Sequence, residues 1–436
     1  MNVYPSDSNR DNATIPMAET VPSSTFVNQN DAFVARQPIF DQNKRVYAYE
    51  LLFRSSGSSP VSGMLDGNSA TSQVIANSLF TFGIRDILSG KPGFFNFTRE
   101  HLLMDYSGIL DPKQTVVEVL ESVVPDGEVI DACLRLKAKG YTLALDDFVA
   151  KDLSSPLGNY ADIVKVDFRD TTLAEQKLVA KHFRSRGVTL LAEKVETVRE
   201  FSLALQYGYS LFQGYFFARP ETVYGKRIPE TKKQYHSLLC ALNRPDFDYR
   251  EIEAAIKHDL SLTHKFLLYL NSANFGFKQQ ISSIHHALVL LGEQQVRTWV
   301  SLAIVASMGA DKPPELVITG TIRAHFCELL GAKARLKGRS DSLFLLGLFS
   351  IMDALMGMPL PELLAGLHIE RDVLDTLLGV ASAENRLALV YALVCAYEKG
   401  DWQIVMDHAQ KLGVSEAAIP PMYSEAVHLA TRVFAG

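Results

Sequence analysis

Between Phe33 and Pro220, short runs of β-branched and aromatic residues alternate with amphipathic stretches. The runs are FVARQPIF from Phe33, VYAYELLF from Val46, GFFNFT from Gly93, TVVEVLE from Thr115, TLALDDF from Thr142, DIVKVDF from Asp162, TLLAEKV from Thr189 and FQGYFFA from Phe212. Between most of them, apolar residues recur at helical spacing, as in Ala70 to Leu88, Glu128 to Lys139, Leu173 to Ser185 and Val198 to Tyr207. Eight strands with intervening helices predict an α/β fold, a (β/α)₈ TIM-like barrel, over residues 31–225. After the charged, Pro-containing connection from Tyr224 to Lys233 the strand signal disappears. Helical periodicity then predicts an all-α domain over 233–436, with Asp248 and Ser261 as helix caps and a further helix from Ser283 to about Gly292.

Composition narrows this picture. With 47% hydrophobic residues the chain can bury a sizeable core, which excludes wholesale disorder. Residues 1–30, rich in Ser, Asn, Pro and Thr, read as a disordered tail without the apolar centre of a secretory signal. The most lipid-like stretch, Leu343 to Leu360, is interrupted by Gly347, Ser350, Asp353, Gly357 and Pro359, which predicts a buried helix and no membrane span. A net charge of −6 argues against nucleic acid as a partner. The four cysteines are far apart with no CxxC pair, so they read as reduced thiols of a cytoplasmic protein and not as a zinc site.

The β-runs finish on polar residues: Glu50, Asn96, Glu118, Asp146 with Asp147, Lys165, Glu193 and Gln213. In a (β/α)₈ barrel the strand ends converge on one mouth, where the active site forms. Carboxylates gathered there would repel one another unless cations neutralised them. Ligands that are all oxygen favour magnesium, manganese or calcium. Two such ions about 3.5–4 Å apart suit an in-line displacement at phosphorus, with Lys165 offsetting charge and Arg54 offering a fork for phosphate. A lone strand-end acid is as often a solvated residue or a helix cap. Adjacent Asp146 and Asp147 cost stability without a counter-charge, and Lys165 lies inside the apolar run IVKV, so the pattern outweighs the separate bland readings.

At these residues the chain resembles the EAL-domain family of cyclic di-GMP phosphodiesterases. The E-A-L-x-R motif appears as Glu50-Leu51-Leu52-Phe53-Arg54 and Q-P-I as Gln37-Pro38-Ile39. Glu118-Val119-Leu120-Glu121 resembles E-I-T-E, Asp146-Asp147-Phe148 D-D-F, and Lys165-Val166-Asp167 K-I-D. Glu193-Lys194-Val195-Glu196 resembles E-G-V-E and Gln213-Gly214-Tyr215 Q-G-Y, while Asn96 falls on the strand-end asparagine. The resemblance implies that Glu50, Asn96, Glu118, Asp146, Asp147 and Glu193 hold two Mg²⁺ or Mn²⁺ ions. It also implies that Lys165, with Glu50 and Glu193, serves catalysis, and that Gln37 and Arg54 contact the substrate. Asp167, Glu196 and Gln213, together with Glu121, would line the substrate or orient water and metal ligands. The implied reaction converts cyclic di-GMP to linear pGpG.

Three positions depart from the family pattern. Phe148 is followed by Val149-Ala150-Lys151-Asp152 where a glycine-rich turn is usual, Lys194 replaces the glycine of E-G-V-E, and Leu51 replaces alanine. In the helical half, His258-Asp259 looks like a metal-binding dipeptide. Asp259-Leu260-Ser261-Leu262, however, reads as a helix end followed by a cap, and the adjacent His285 and His286 point about 100° apart on a helix. This half resembles the HDOD domain through Leu270-Asn271-Ser272-Ala273, Ile281-Ser282-Ser283-Ile284 and Leu291-Gly292. The tandem is similar to the YuxH-type EAL-HDOD signalling family, in which the altered loop and the E-K-V-E variant are usual, and a protein partner for the HDOD half is implied. Two functions stay open: a phosphodiesterase regulated through the helical domain, or a catalytically silent cyclic di-GMP receptor or interaction scaffold. The intact acidic set favours the enzyme.

Overall fold

The computed structural model describes residues 32–55, 84–104, 110–217, 229–244, 248–259, 262, 284–365 and 367–434. The expected tail, the first part of the Ala70–Leu88 helix and the Ser261 and Ser283 caps lie outside them. Eight strands close a barrel in chain order: β1 (Ala32–Asp41), β2 (Val46–Ser55), β3 (Gly93–Phe97), β4 (Thr115–Val119), β5 (Thr142–Leu145), β6 (Ile163–Asp167), β7 (Thr189–Glu193) and β8 (Leu211–Gln213). The barrel departs from eight β/α repeats in one respect: β1 runs antiparallel to both β2 and β8, and the rest pair in parallel. A tight turn makes this possible. The Asp41 carboxylate accepts from the Asn43 and Arg45 amides at 2.8 Å each, and Lys44 takes a left-handed φ of 60°.

Five described helices flank the barrel strands: α1 (Ile84–Ile87), α2 (Arg99–Leu103), α3 (Gly127–Ala138), α4 (Leu173–Arg184) and α5 (Val198–Tyr207). Local chemistry starts them where the periodicity predicts. Asp126 caps α3 by accepting from Val129 N at 2.9 Å, and Thr172 with Glu175 and Thr197 with Glu200 form capping boxes on α4 and α5. The rest of the described chain is helical: α6 (Glu230–Leu242), α7 (Tyr249–His258), α8 (Ile284–Met308), α9 (Pro314–Lys333), α10 (Ser340–Phe349), α11 (Met352–Met356), α12 (Leu360–Leu364), α13 (Arg371–Leu377), α14 (Arg386–Lys399), α15 (Trp402–Leu412) and α16 (Ile419–Phe434). Asp248 caps α7, and α8 breaks at Gly292, where φ is 75°. The lipid-like stretch becomes α10 and α11, both buried, and no described helix is long and apolar enough to cross a membrane.

The barrel interior is stratified by the two-residue period of its strands. Ile39, Ala48, Phe94, Val116, Ala144, Ile163, Leu191 and Leu211, one from each strand, form a sealed apolar plug. Two residues further toward the mouth on each strand lie Gln37, Glu50, Asn96, Glu118, Asp146, Lys165, Glu193 and Gln213. On β1 the count runs backwards, from Ile39 to Gln37, because that strand is reversed. A polar layer therefore rests on an apolar floor.

β1 and β2 are ten residues long, whereas the other strands have three to five, so their paired ends project past the mouth. On this projection Phe33 and Ala35 are fully buried in one cluster with Phe326 of α9, Leu393 and Tyr397 of α14, and Tyr423 of α16, and Leu52 packs against that cluster. The Phe33 ring lies 5.6 Å from Trp402 and 6.3 Å from Tyr397, whose hydroxyl donates to Val34 O at 3.1 Å. On the other face Tyr49 donates to the buried Glu315 of α9 at 3.0 Å, and the Arg36 guanidinium lies over the Tyr49 ring at 4.2 Å. The helical domain is thereby seated against the barrel mouth. Phe33→Ala is expected to lower stability in urea by about 3–5 kcal/mol, as for other buried aromatic truncations. A loss below about 1 kcal/mol would show that this seam does not hold the domains together.

Candidate functional site

The polar layer is organised around one ammonium. Lys165, 1% exposed, places Nζ 2.8 Å from Glu193, 3.0 Å from Asp146 and 3.6 Å from Glu50, and in short contact with Glu118. The alternation of β6 that buries Val164 and Val166 outside the barrel turns Lys165 inward between them. Gln213 Nε2 completes the ring, donating to Glu50 Oε2 at 2.6 Å and to Gln37 Oε1 at 2.9 Å.

Burial and crowding set the proton affinities. Burial, together with the neighbouring Glu50, Asp146 and Glu193, outweighs Lys165 and pushes Glu118 well above the carboxylate range. Glu193 is pushed up to about 8 by burial and by Asp146 and Glu50, against the pull of Lys165. Asp146 is pushed up by burial too, but Lys165 and hydrogen bonds to Glu118 overcome this and hold it below the ordinary value. Burial pulls Lys165 down, yet its four carboxylate neighbours outweigh it and keep the ammonium charged. The centre therefore holds excess negative charge that protons or cations must balance.

Asp147 turns out of the strand. Its φ of 41° swings its carboxylate onto the rim, and burial plus Asp146 raise it to about 6. Carboxylate oxygens of Glu121, Asp146 and Asp147 lie within 4.8 Å of one another. Glu121, read from sequence as an orienting residue, thus joins the aspartate pair at ligand spacing. Deeper in, Asn96 Oδ1 and Glu118 Oε2 are buried and meet no hydrogen-bond donor among the described residues. Orphaned buried oxygens are costly in a protein interior, and oxygen atoms facing excess negative charge fit a hard divalent cation.

The remaining expected residues occupy different places. Asp167 is buried, with Oδ1 accepting from the Arg169 and Asp170 amides at 2.6 and 3.2 Å and Oδ2 paired with Lys194. Lys194 sits at φ 51°, which explains why glycine suits this position, and its cation serves Asp167. Gly214, at φ 138°, has no room for a side chain: a Cβ would lie 2.2 Å from Val195 O. Glu196 lines the cleft, 3.6 Å from Arg169. Arg54 is half-buried at the end of β2 and is not among the residues lining the cleft. The loop after Asp147 is built from the 3₁₀ turns Ala150–Ser154 and Pro156–Asn159, with Asp152 accepting from Val149 N at 3.2 Å.

Above the layer opens a cleft of about 770 Å³ lined by Gln37, Glu50, Asp146, Asp147, Lys165 and Glu193 on the barrel side and by residues of α9 and α14 opposite. No periodicity in the sequence pointed to that second wall. In the helical domain, Asp259 accepts from Tyr235 at 2.6 Å and from Leu262 N at 3.0 Å, the structural role its sequence context suggests. The side chains of His258, His285 and His286 lie outside the described residues. All four cysteines are free thiols.

A closed barrel with a carboxylate and lysine centre at its mouth, joined to a helical domain, defines the class of protein. The EAL domain family matches residues 72–220 and the HDOD domain family residues 228–364. The chain is 35% identical over 393 residues to the uncharacterized protein YuxH of Bacillus subtilis, covering 88% of this chain and 95% of that one. It is 32% identical over 383 residues to the cyclic di-GMP phosphodiesterase CdgJ of Vibrio cholerae, covering 87% and 88%. Among solved structures, a calcium and cyclic di-GMP complex of Klebsiella pneumoniae BlrP1 aligns at 26% identity and a TM-score of 0.37, over 43% of this chain and 55% of that one. The chain belongs to the EAL-HDOD family of tandem-domain proteins.

Because Lys165 is the ammonium shared by these buried carboxylates, Lys165→Met is expected to destabilise the metal-free protein at pH 8 by about 3–5 kcal/mol. Chemical denaturation in a chelator tests this, and an unchanged midpoint would show that the carboxylates do not depend on the lysine.

Proposed function

We propose that this protein is a cyclic di-GMP phosphodiesterase that opens one phosphodiester of the ring to give linear pGpG. One observation carries the reading: Glu50, Glu118, Asp146 and Glu193, from four separate strands, converge on Lys165 while Asn96 Oδ1 and Glu118 Oε2 are buried with no donor among the described residues. The similarity to CdgJ supports the substrate. Glu50, Asn96, Glu118, Asp146 and Glu193 would hold one Mg²⁺ or Mn²⁺, and Glu121, Asp146 and Asp147 a second. Bound there, such ions lower the pKa of water and neutralise charge on a phosphoryl group.

The chain's own residues do the rest. Lys165, held charged, keeps a proton at Nζ beside the carboxylates and offsets the negative charge of an incoming phosphate. Gln213 fixes Glu50 and Gln37 in one orientation, so that Gln37 can present its amide to substrate. The cleft volume lies within the range of about 300–1,000 Å³ typical for small-molecule sites. The helical domain would regulate this site or dock a protein partner, in the cytoplasm and without nucleic acid.

Purified protein incubated with cyclic di-GMP and Mg²⁺ or Mn²⁺, followed by nucleotide chromatography, is expected to yield pGpG that disappears in Glu50→Ala. The rebuilt loop after Asp147 favours a second reading, a silent receptor. Tight binding without product would establish that reading, and absence of both binding and product would remove the nucleotide from the account.

Metal loading must also displace protons, because Glu118 lies well above the carboxylate range and Glu193 at about 8 in the ion-free protein. At pH 7, Mn²⁺ binding is expected to release at least about one proton per protein and to weaken as pH falls through about 6, where Asp147 protonates. Calorimetry in two buffers of different ionisation enthalpy reads this directly. Identical heats would contradict ligation by these groups.

A further inference from the structure

The cleft above the polar layer has two walls, and only one belongs to the barrel. The opposite wall is formed by Arg323 of α9 and by Tyr391, Cys395, Glu398 and Lys399 of α14. Gly400 brings it close: at φ 74° it ends α14, and a Cβ there would lie 2.9 Å from Leu52 Cδ1 of β2.

This wall is bonded into the polar layer. Gln37, which accepts from Gln213, donates through Nε2 to the main-chain oxygen of Glu398 at 3.2 Å. The Glu398 carboxylate accepts from Arg323 Nε at 2.9 and 3.0 Å and from Nη2 at 2.8 Å, and Arg323 Nη1 donates to Ser350 at 3.0 Å. Their side chains are only 10% and 12% exposed. A hydrogen-bonded chain thus runs from Glu50 through Gln213 and Gln37 into the helical domain, and the position of Gln37 depends on α14.

The wall adds a second aromatic ring and a further ammonium to the barrel side, where Tyr215 also lines the cleft. Tyr391 lines the cleft from the same helix as Cys395 and Lys399. Lys399 is exposed at the end of α14, and among the described residues no carboxylate pairs with it. The other cations of the cleft are engaged, Arg323 by Glu398, Lys194 by Asp167 and Arg169 by Glu200. Opposite a carboxylate cluster suited to metal-held phosphate, an aromatic ring and an ammonium suit a base and a second phosphate.

Resting on the cyclic dinucleotide reading above, we propose that the nucleotide is bound between the two domains, with Tyr391 stacking on a guanine and Lys399 pairing with the phosphate that is not cleaved. The barrel and the helical domain then make one binding site, with specificity for a dinucleotide set by the helical side.

The test is calorimetric titration of the full chain with cyclic di-GMP in Ca²⁺. Tyr391→Ala is expected to weaken binding about tenfold and Tyr391→Phe less than about twofold, since the ring carries the stacking. Lys399→Ala is expected to weaken it about fivefold and to flatten its salt dependence. Both alanine variants should keep the wild-type affinity for Mn²⁺, because the ions sit on the other wall. If the wild type binds and all three variants bind equally well, or if Phe is as weak as Ala at position 391, the two-domain pocket is overturned while the nucleotide reading stands. If the wild type binds no cyclic di-GMP, both fall together.

Discussion

Everything at the mouth of this barrel depends on the alternation of side chains along a β-strand. Because successive residues face opposite sides, an inward apolar residue dictates that the residue two further on is also inward. Closure of eight strands multiplies that rule into two stacked rings: the plug from Ile39 to Leu211 and, directly above it, the layer from Gln37 to Gln213. The plug keeps water from the floor, and that makes the layer above chemically unusual. Carboxylates such as Glu118 and Glu193 hold protons far above their ordinary range because burial, more than any single neighbour, disfavours their charge. Lys165 is tolerated in the interior for the converse reason, with four acids within reach.

Much of this was legible in the sequence because strand-end polarity after an apolar run has a single geometric meaning in a barrel. Asn96, Glu118, Asp146, Glu193 and Gln213 fall at or next to the ends of such runs, Glu50 and Lys165 sit inside theirs, and all seven enter the layer. Gln37 does not end its run: it precedes Ile39, and only the reversal of β1 turns a residue before the plug into one above it. Nothing in local periodicity reports strand direction, so Gln37 could be reached only through the family motif. Glu121 was legible as polar but not as a partner of Asp146 and Asp147, since that closeness comes from the turn after β4 and from the left-handed φ of Asp147. The second wall was illegible for a different reason. Tyr391 and Lys399 lie nearly two hundred residues from the last strand, on a helix whose place is set by the buried seam at Phe33.

That seam gives the tandem its physical logic. The surplus length of β1 and β2 carries the inward face of the barrel past its rim, where Phe33 and Ala35 become a docking surface instead of a lining. The same ribbon therefore contributes Gln37 and Glu50 to the centre and anchors the helices that roof it. Where the backbone is pushed into left-handed conformations, at Asp147 and Lys194, the distortion sits immediately after a strand-end acid and turns the next side chain to new use: Asp147 to the rim and Lys194 to Asp167. Departures from the family pattern thus fall in the shell around the polar layer and leave the layer itself intact.

In the proposed divalent-cation site, Lys165 and protons balance the carboxylates when no ion is bound. Anomalous diffraction from crystals soaked in Mn²⁺ addresses it most directly. A Mn²⁺ peak bounded by Glu50, Asn96, Glu118 and Asp146 is expected, with Lys165 drawn away from Glu118. Manganese found only elsewhere on the molecule, with Lys165 still seated among the four carboxylates, would contradict it.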